Sequence, residues 1–180
     1  MRNFLIYILL ASTMLWSCKT PEARRPVKVS SGSHISESVE RNKAWIEQEE
    51  KDIQSVIEKD STRDYLNSEL GFWYYYENQK PDETEIADFG DVVEFQQEVK
   101  DLDGNIIYSK EELGVQTYHM DKEEIITGLR EGLKLMKEGE TVTFIFPSYK
   151  AYGYYGDLNK IGTNMSIKST VTILNIEQIN

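Results

Sequence analysis

Residues 121–136 read Asp121-Lys122-Glu123-Glu124-Ile125-Ile126-Thr127-Gly128-Leu129-Arg130-Glu131-Gly132-Leu133-Lys134-Leu135-Met136, and the fold of the chain turns on them. Ile125, Leu129, Leu133 and Met136 recur at helical spacing, so a helix here would carry one apolar face. Asp121 is placed to cap it, with Glu124 at the reciprocal capping-box position. Such a face needs a partner, and the flanking sequence supplies one. Past Gly71 the chain breaks into short alternating or aromatic runs, which predict strands over 72–77, 91–99, 105–109, 115–120, 140–147 and 166–178. In the fifth, Val142, Phe144 and Phe146 alternate with Thr141 and Thr143, the pattern of a half-buried antiparallel strand. In the last, Val171 and Ile173 are out of phase with Leu174 and Ile176, so a bulge is expected near Ile173. Asp101-Leu102-Asp103-Gly104 suits a hairpin turn. The expectation is an α+β domain over 71–180, a curved antiparallel sheet or half-barrel wrapped around one short helix.

Composition narrows the function. The 180 residues are enough for one core, and 31 acidic against 20 basic side chains leave a net charge of −11, which repels nucleic acid. Cys18 is the single cysteine and the two histidines lie far apart, so neither an internal disulfide, nor thiol chemistry, nor a zinc site is expected. No cofactor is expected either.

The first residues read as an address. Arg2 precedes the run Phe4-Leu5-Ile6-Tyr7-Ile8-Leu9-Leu10, and Leu15-Trp16-Ser17-Cys18 resembles a bacterial lipobox, with Trp16 where a small residue is usual. Residues 1–17 are expected to be a lipoprotein signal peptide and Cys18 the lipidated terminus, holding the protein on a membrane surface outside the cytoplasm. A plain membrane anchor or a cut elsewhere are the alternatives. Residues 18–35, with two prolines and Ser30-Ser31-Gly32-Ser33, read as a tether. Residues 36–60 hold neither Gly nor Pro and favour a helix. Its apolar stripe is narrow (Val39, Ile46, Ile53, Ile57), which suits docking on its own domain or on a twin in a homodimer.

Within the domain, five segments occur in order: Val92-Val93-Glu94-Phe95; Asp103-Gly104 before Tyr108; Ile125-Ile126-Thr127-Gly128-Leu129-Arg130-Glu131-Gly132-Leu133; Met136-Lys137-Glu138-Gly139-Glu140; and Pro147-Ser148-Tyr149-Lys150-Ala151-Tyr152-Gly153. Together they resemble the landmarks of FKBP-type peptidyl-prolyl cis-trans isomerases over about 88–179. The leader and preceding helix add a narrower resemblance to lipid-anchored isomerases associated with gliding motility. The resemblance implies a shallow apolar pocket for a prolyl ring, with Leu129 as floor where the family usually has Trp. Phe95, Tyr108, Ile125 and Ile126 would be its walls, and Tyr118 and Ile161 its rim. The N–H of Ile126 and the hydroxyl of Tyr152 would be donors to substrate carbonyls. Ser109 stands where the family has Asp, Gln116 where it has an aromatic, and Ser169 where it has Phe; Ser109 is still counted among the substrate-binding positions.

Two functions follow from that resemblance. One is an isomerase for proline-containing secreted chains; the other is a chaperone or peptide-binding module using the same pocket, which the three departures favour. Phe95, Ile125 and Leu129 would be ordinary core in any such domain. The Tyr149, Tyr152, Tyr154 and Tyr155 loop carries more aromatics than can be buried, which points to a peptide-facing surface. His119 reads as a strand side chain rather than a base, and 82–85 as a solvated loop.

Overall fold

The structure, a computed structural model, describes residues 32–81 and 85–179. The leader, Cys18, the tether up to residue 31 and residues 82–84 of the expected solvated loop lie outside the described residues. A helix, α1, spans Gly32–Lys59. After it come β1 (Leu66–Asn67), β2 (Trp73–Asn78), β3 (Val92–Lys100), β4 (Ile106–Tyr108), a one-turn helix α2 (Lys110–Leu113), β5 (Val115–His119), α3 (Thr127–Leu133), β6 (Thr141–Phe146) and β7 (Ile167–Glu177). Two 3-10 turns, Ser148–Lys150 and Gly153–Tyr155, lie between the last two strands.

The strands form one antiparallel sheet in the order β1-β2-β6-β7-β3-β4. β5 pairs the first half of β3 while β4 pairs its end, so the two share an edge. No expected strand end is displaced by more than one residue. β1 and α2 are additions that the sequence pattern did not suggest. The Asp101 turn is a hairpin: Gly104 sits at φ +93°, and Asp101 accepts from the Asn105 backbone N–H at 2.8 Å. The bulge falls at Leu174, since Glu94 pairs with Asn175 but Phe95 with Ile173. Leu174 absorbs the phase slip, so Val171 and Ile173 stay in the core.

That core lies between α3 and the sheet. Phe72, Phe95, Phe144, Phe146, Leu129, Leu133 and Met136 are all buried in it, and each large side chain contributes roughly 2–3 kcal/mol by leaving water. Phe144 and Phe146 stack with centroids 5.3 Å apart. α3 lies directly on these rings: a Cβ on Gly128 would come 2.4 Å from Phe146, and one on Gly132 2.9 Å from Phe144. The two glycines therefore set how closely helix and sheet approach.

Two expectations are corrected. β6 is not half-buried: Thr143 and Ile145 on its outer side are as buried as Val142, Phe144 and Phe146 on its inner side. Tyr75, paired with Thr143 in the sheet, is buried too, and so is Ile53 of α1; neither belongs to the main core cluster. Nor does Asp121 cap a helix. It sits at φ +59° well before α3, whose N-terminal Ile126 makes no side-chain cap bond. Its carboxylate instead meets Lys134 at 3.0 Å and Arg130 at 3.8 Å. Three β-branched residues in a row, Ile125, Ile126 and Thr127, and two glycines make 121–136 a poor long helix, and Ile125 and Ile126 line the pocket ahead of α3 instead.

α1 divides along its length. Ile53 and Glu49 are buried against the domain, whereas Val39 and Trp45 stay 60% and 57% exposed. Residues from Ser38 to the C-terminus form one compact unit.

Candidate functional site

Beside α3 a hollow of about 1010 Å³ opens to the surface. β3 contributes Phe95 and Gln97, β4 Tyr108, and β5 Gln116, Thr117 and Tyr118. The segment before α3 contributes Ile125 and Ile126, α3 itself Leu129, and the loop after β6 contributes Tyr152 and Asp157. Leu129 and Phe95, 2% and 1% exposed, close the bottom. The structure thus brings together Phe95, Tyr108, Tyr118, Ile125, Ile126, Leu129 and Tyr152 on one cavity. It does not bring Ile161 or Ser109 there. Ile161 is buried in the core, because Asp157 pins its N–H at 2.8 Å and turns the loop inward. Ser109 caps α2, its hydroxyl accepting from the Glu112 N–H at 3.3 Å. Tyr118 is a buried wall rather than a rim; its hydroxyl donates to the Glu123 carbonyl and accepts from the Asp121 N–H, both at 3.3 Å.

Two residues that line the cavity, Ile126 and Tyr152, carry donors without a partner among the described residues. The carbonyl of Ile126 accepts from Arg130 at 3.1 Å as α3 begins, while its N–H has no partner among the described residues. Unmet N–H groups at a helix start are available to a carbonyl oxygen. The Tyr152 hydroxyl is the second. Burial, then the nearby Asp157 and Tyr108, raise its pKa above 10, so it keeps its proton through the physiological range.

Asp157 was not singled out from the sequence, yet it organises this wall. The Tyr108 hydroxyl donates to it, as do the N–H groups of Asn159 (2.9 Å) and Ile161 (2.8 Å). Burial opposes ionisation of Asp157, but these donors prevail and hold its pKa below the ordinary value. Its carboxylate in turn raises the pKa of Tyr108, with burial adding to the effect. Lys160 lies over the Tyr108 ring at 4.7 Å and donates to the Ile107 carbonyl at 3.2 Å. Asp157 is thus a carboxylate on the cavity wall, whereas Ser109 lies off it. Its one sequence signal was a carboxylate after Gly156 in an aromatic loop.

Gln97 was missed as well. It is only 5% exposed, lines the cavity, and its Oε1 has no hydrogen-bond partner; nor does the buried Ser169 Oγ on neighbouring β7. Ser169 stands where the resemblance implies Phe, so a buried hydroxyl takes the place of a ring there. His119 ends β5 and pairs with Glu123 at 2.9 Å, and among the described residues no cluster of His, Cys, Asp or Glu could hold a metal. Tyr154, Tyr155 and Leu158 stand exposed on the loop beside the cavity.

The family model for FKBP-type peptidyl-prolyl cis-trans isomerases matches residues 83–174. A curated relative, the probable FKBP-type peptidyl-prolyl cis-trans isomerase FkpA of Neisseria meningitidis, is 27% identical over 143 residues, 78% of this chain. This chain spans about half that relative's length, 51%. Among solved structures, a peptidyl-prolyl cis-trans isomerase from Pseudomonas syringae aligns with TM-score 0.60 and 18% identity, over 76% of this chain and 96% of that one. FkpA from Escherichia coli aligns with TM-score 0.60 and 18% identity over 98% of this chain and 82% of that one. At this identity the two structures speak to the fold.

Proposed function

The chain belongs to the FKBP-type peptidyl-prolyl cis-trans isomerase family, and from that premise we propose that it catalyses rotation about X-Pro bonds in polypeptides outside the cytoplasm. The observation that carries this reading is an apolar floor, Leu129 and Phe95, in one open cavity that Ile126 and Tyr152, the owners of two possible donors, also line. The barrier to rotation is roughly 18–20 kcal/mol and arises from amide resonance. At the twisted midpoint conjugation is lost and the carbonyl carries less charge, so an apolar wall stabilises that state relative to water. The donors hold flanking carbonyls and keep the peptide bent. No nucleophile or metal is needed.

Tyr152→Phe removes one neutral hydrogen bond, worth roughly 1 kcal/mol, and is expected to lower kcat/KM about 5-fold in an X-Pro peptide assay. Ile126→Asp places a carboxylate on the apolar wall and is expected to abolish turnover, with the fold checked by circular dichroism. Wild-type-like rates in both variants would refute the site.

A second reading, a chaperone or peptide-binding module with little turnover, is favoured by the unpartnered Gln97 and Ser169 atoms, which make the interior less dry. Background isomerisation by the wild type, with retained binding of unfolded protein, would establish it. We further propose attachment to a membrane surface through lipid on Cys18. No described helix is long and apolar enough to cross a membrane. Labelled palmitate should enter the wild type and not Cys18→Ala. A role in gliding motility is the narrowest proposal and rests on the resemblance of leader and helix alone; loss of gliding in a deletion strain is its test.

A further inference from the structure

β4 is the least secured wall of the cavity. It sits at the edge of the sheet and pairs only with β3, Val99 opposite Tyr108 and Lys100 opposite Ile106, and the register slips between the two. An edge strand with so short a ladder opens readily unless another segment holds it. The loop after Tyr152 does so. The Tyr108 hydroxyl donates to the Asp157 carboxylate and accepts from the Asn159 side-chain amide at 3.0 Å. Lys160 donates to the Ile107 carbonyl at 3.2 Å, lies over the Tyr108 ring at 4.7 Å and pairs with Glu112 of α2.

The loop can bear on β4 because it is itself closed. Oδ1 of Asp157 accepts from the N–H groups of Asn159 and Ile161 at 2.9 and 2.8 Å, and the Asp157 N–H returns to the Ile161 carbonyl at 3.1 Å. The Asn164 N–H reaches the carbonyl of Gly153, the residue after Tyr152, at 2.9 Å. Gly156 permits the turn: its φ is +66°, and a Cβ there would come 2.1 Å from the Ile161 carbonyl oxygen. One carboxylate thus ties a closed loop that begins beside Tyr152 to a strand 49 positions earlier.

These contacts are poorly placed to hold the whole fold together. Asp157 and Tyr108 are half-buried, Asn159 and Lys160 are exposed, and polar pairs open to water contribute little to global stability. What they control is where the Tyr108 ring stands relative to Tyr152, and both residues line the cavity.

We propose that Asp157 is a positioning residue for isomerisation: through the Tyr108 hydroxyl it sets the β4 wall of the cavity before a prolyl peptide enters. This deepens the isomerase reading above and rests on it. A wall already in place spares the peptide the cost of ordering it, so the benefit falls on binding. Asp157 stays ionised at neutral pH, and a charged acceptor holds a hydroxyl more firmly than a neutral one.

The test uses the full chain carrying Asp157→Asn, Tyr108→Phe or both. Asp157→Asn keeps an oxygen for the two loop N–H groups but puts a donor where the Tyr108 hydroxyl needs an acceptor; Tyr108→Phe keeps the ring and removes the hydroxyl. Each single variant is expected to raise KM for an X-Pro peptide about 5-fold, with kcat little changed and a melting temperature close to that of the wild type. The double variant should be no worse than either single one, because both break the same link. Amide exchange over 106–108 should quicken in Asp157→Asn. An unchanged KM in Asp157→Asn would overturn the proposal, and so would effects that multiply in the double variant, since the two residues would then act separately. Should the wild type itself fail to isomerise, the enzyme reading falls and exchange over 106–108 decides alone: faster exchange in Asp157→Asn sustains the hold on β4, and unchanged exchange removes it.

Discussion

Gln97 places an amide where the cavity should be driest. Its Oε1 is buried without a partner, and such an atom costs about 1–3 kcal/mol. Gln97→Leu is therefore expected to raise stability by about 1 kcal/mol in thermal denaturation and to lower KM for apolar prolyl peptides. An unchanged melting temperature would mean that the amide is satisfied in solution. Tyr152 was legible in the sequence because Ala151-Tyr152-Gly153 follows Pro147 at a recognisable distance. Asp157 was not, since its importance lies in meeting Tyr108 across 49 positions of chain. Ser109 illustrates the converse: its number matched a pocket position, but a hydroxyl preceding Lys110-Glu111-Glu112 is drawn to cap a helical turn. Tyr152 and Asp157 are displaced away from neutrality, upward and downward respectively. An activity profile that is flat across neutral pH is expected from both.

α3 shows how an element can be right in kind and wrong in extent. The apolar spacing from Ile125 to Met136 is real, and Leu129, Leu133 and Met136 are buried as that spacing requires. The regular helix nevertheless covers only Thr127–Leu133, because local capping at Asp121 competes with packing of Ile125 and Ile126 against the cavity. Packing wins. The glycines in α3 follow the same logic. In an open helix Gly→Ala stabilises by about 0.5–1 kcal/mol. At Gly128 the new methyl would come 2.4 Å from the Phe146 ring, and overpacking of this kind costs roughly 1–3 kcal/mol. Gly128→Ala is thus expected to destabilise, by about 1 kcal/mol or more net in a denaturant titration. Stabilisation instead would show that Phe146 yields easily.

Across the whole molecule, α1 joins two kinds of surface. In its C-terminal half Ile53 and Glu49 are buried, and burial raises the pKa of the Glu49 carboxyl. A carboxylate whose folded-state pKa is raised contributes stability that is present below its unfolded value and lost as pH rises through the folded one. Its N-terminal half leaves Ile35, Val39 and Trp45 exposed, and a homodimer through this stripe is the arrangement we propose for it. Sedimentation of the full chain should then depend on concentration, and Val39→Glu with Trp45→Glu should remove that dependence; sedimentation as a monomer at all concentrations would exclude it.

The order of elements, the hairpin at Asp101, the bulge beside Ile173 and the family landmarks were written in local spacing, because turn chemistry and side-chain periodicity act over a few residues. Burial of both faces of β6, the short reach of α3, the diversion of Ser109 and Ile161 from the cavity, and the surroundings of Asp157, Gln97 and Glu49 were decided only when distant segments met. Each depends on a partner far along the chain, and a linear pattern carries no record of which distant atom will fill a given space.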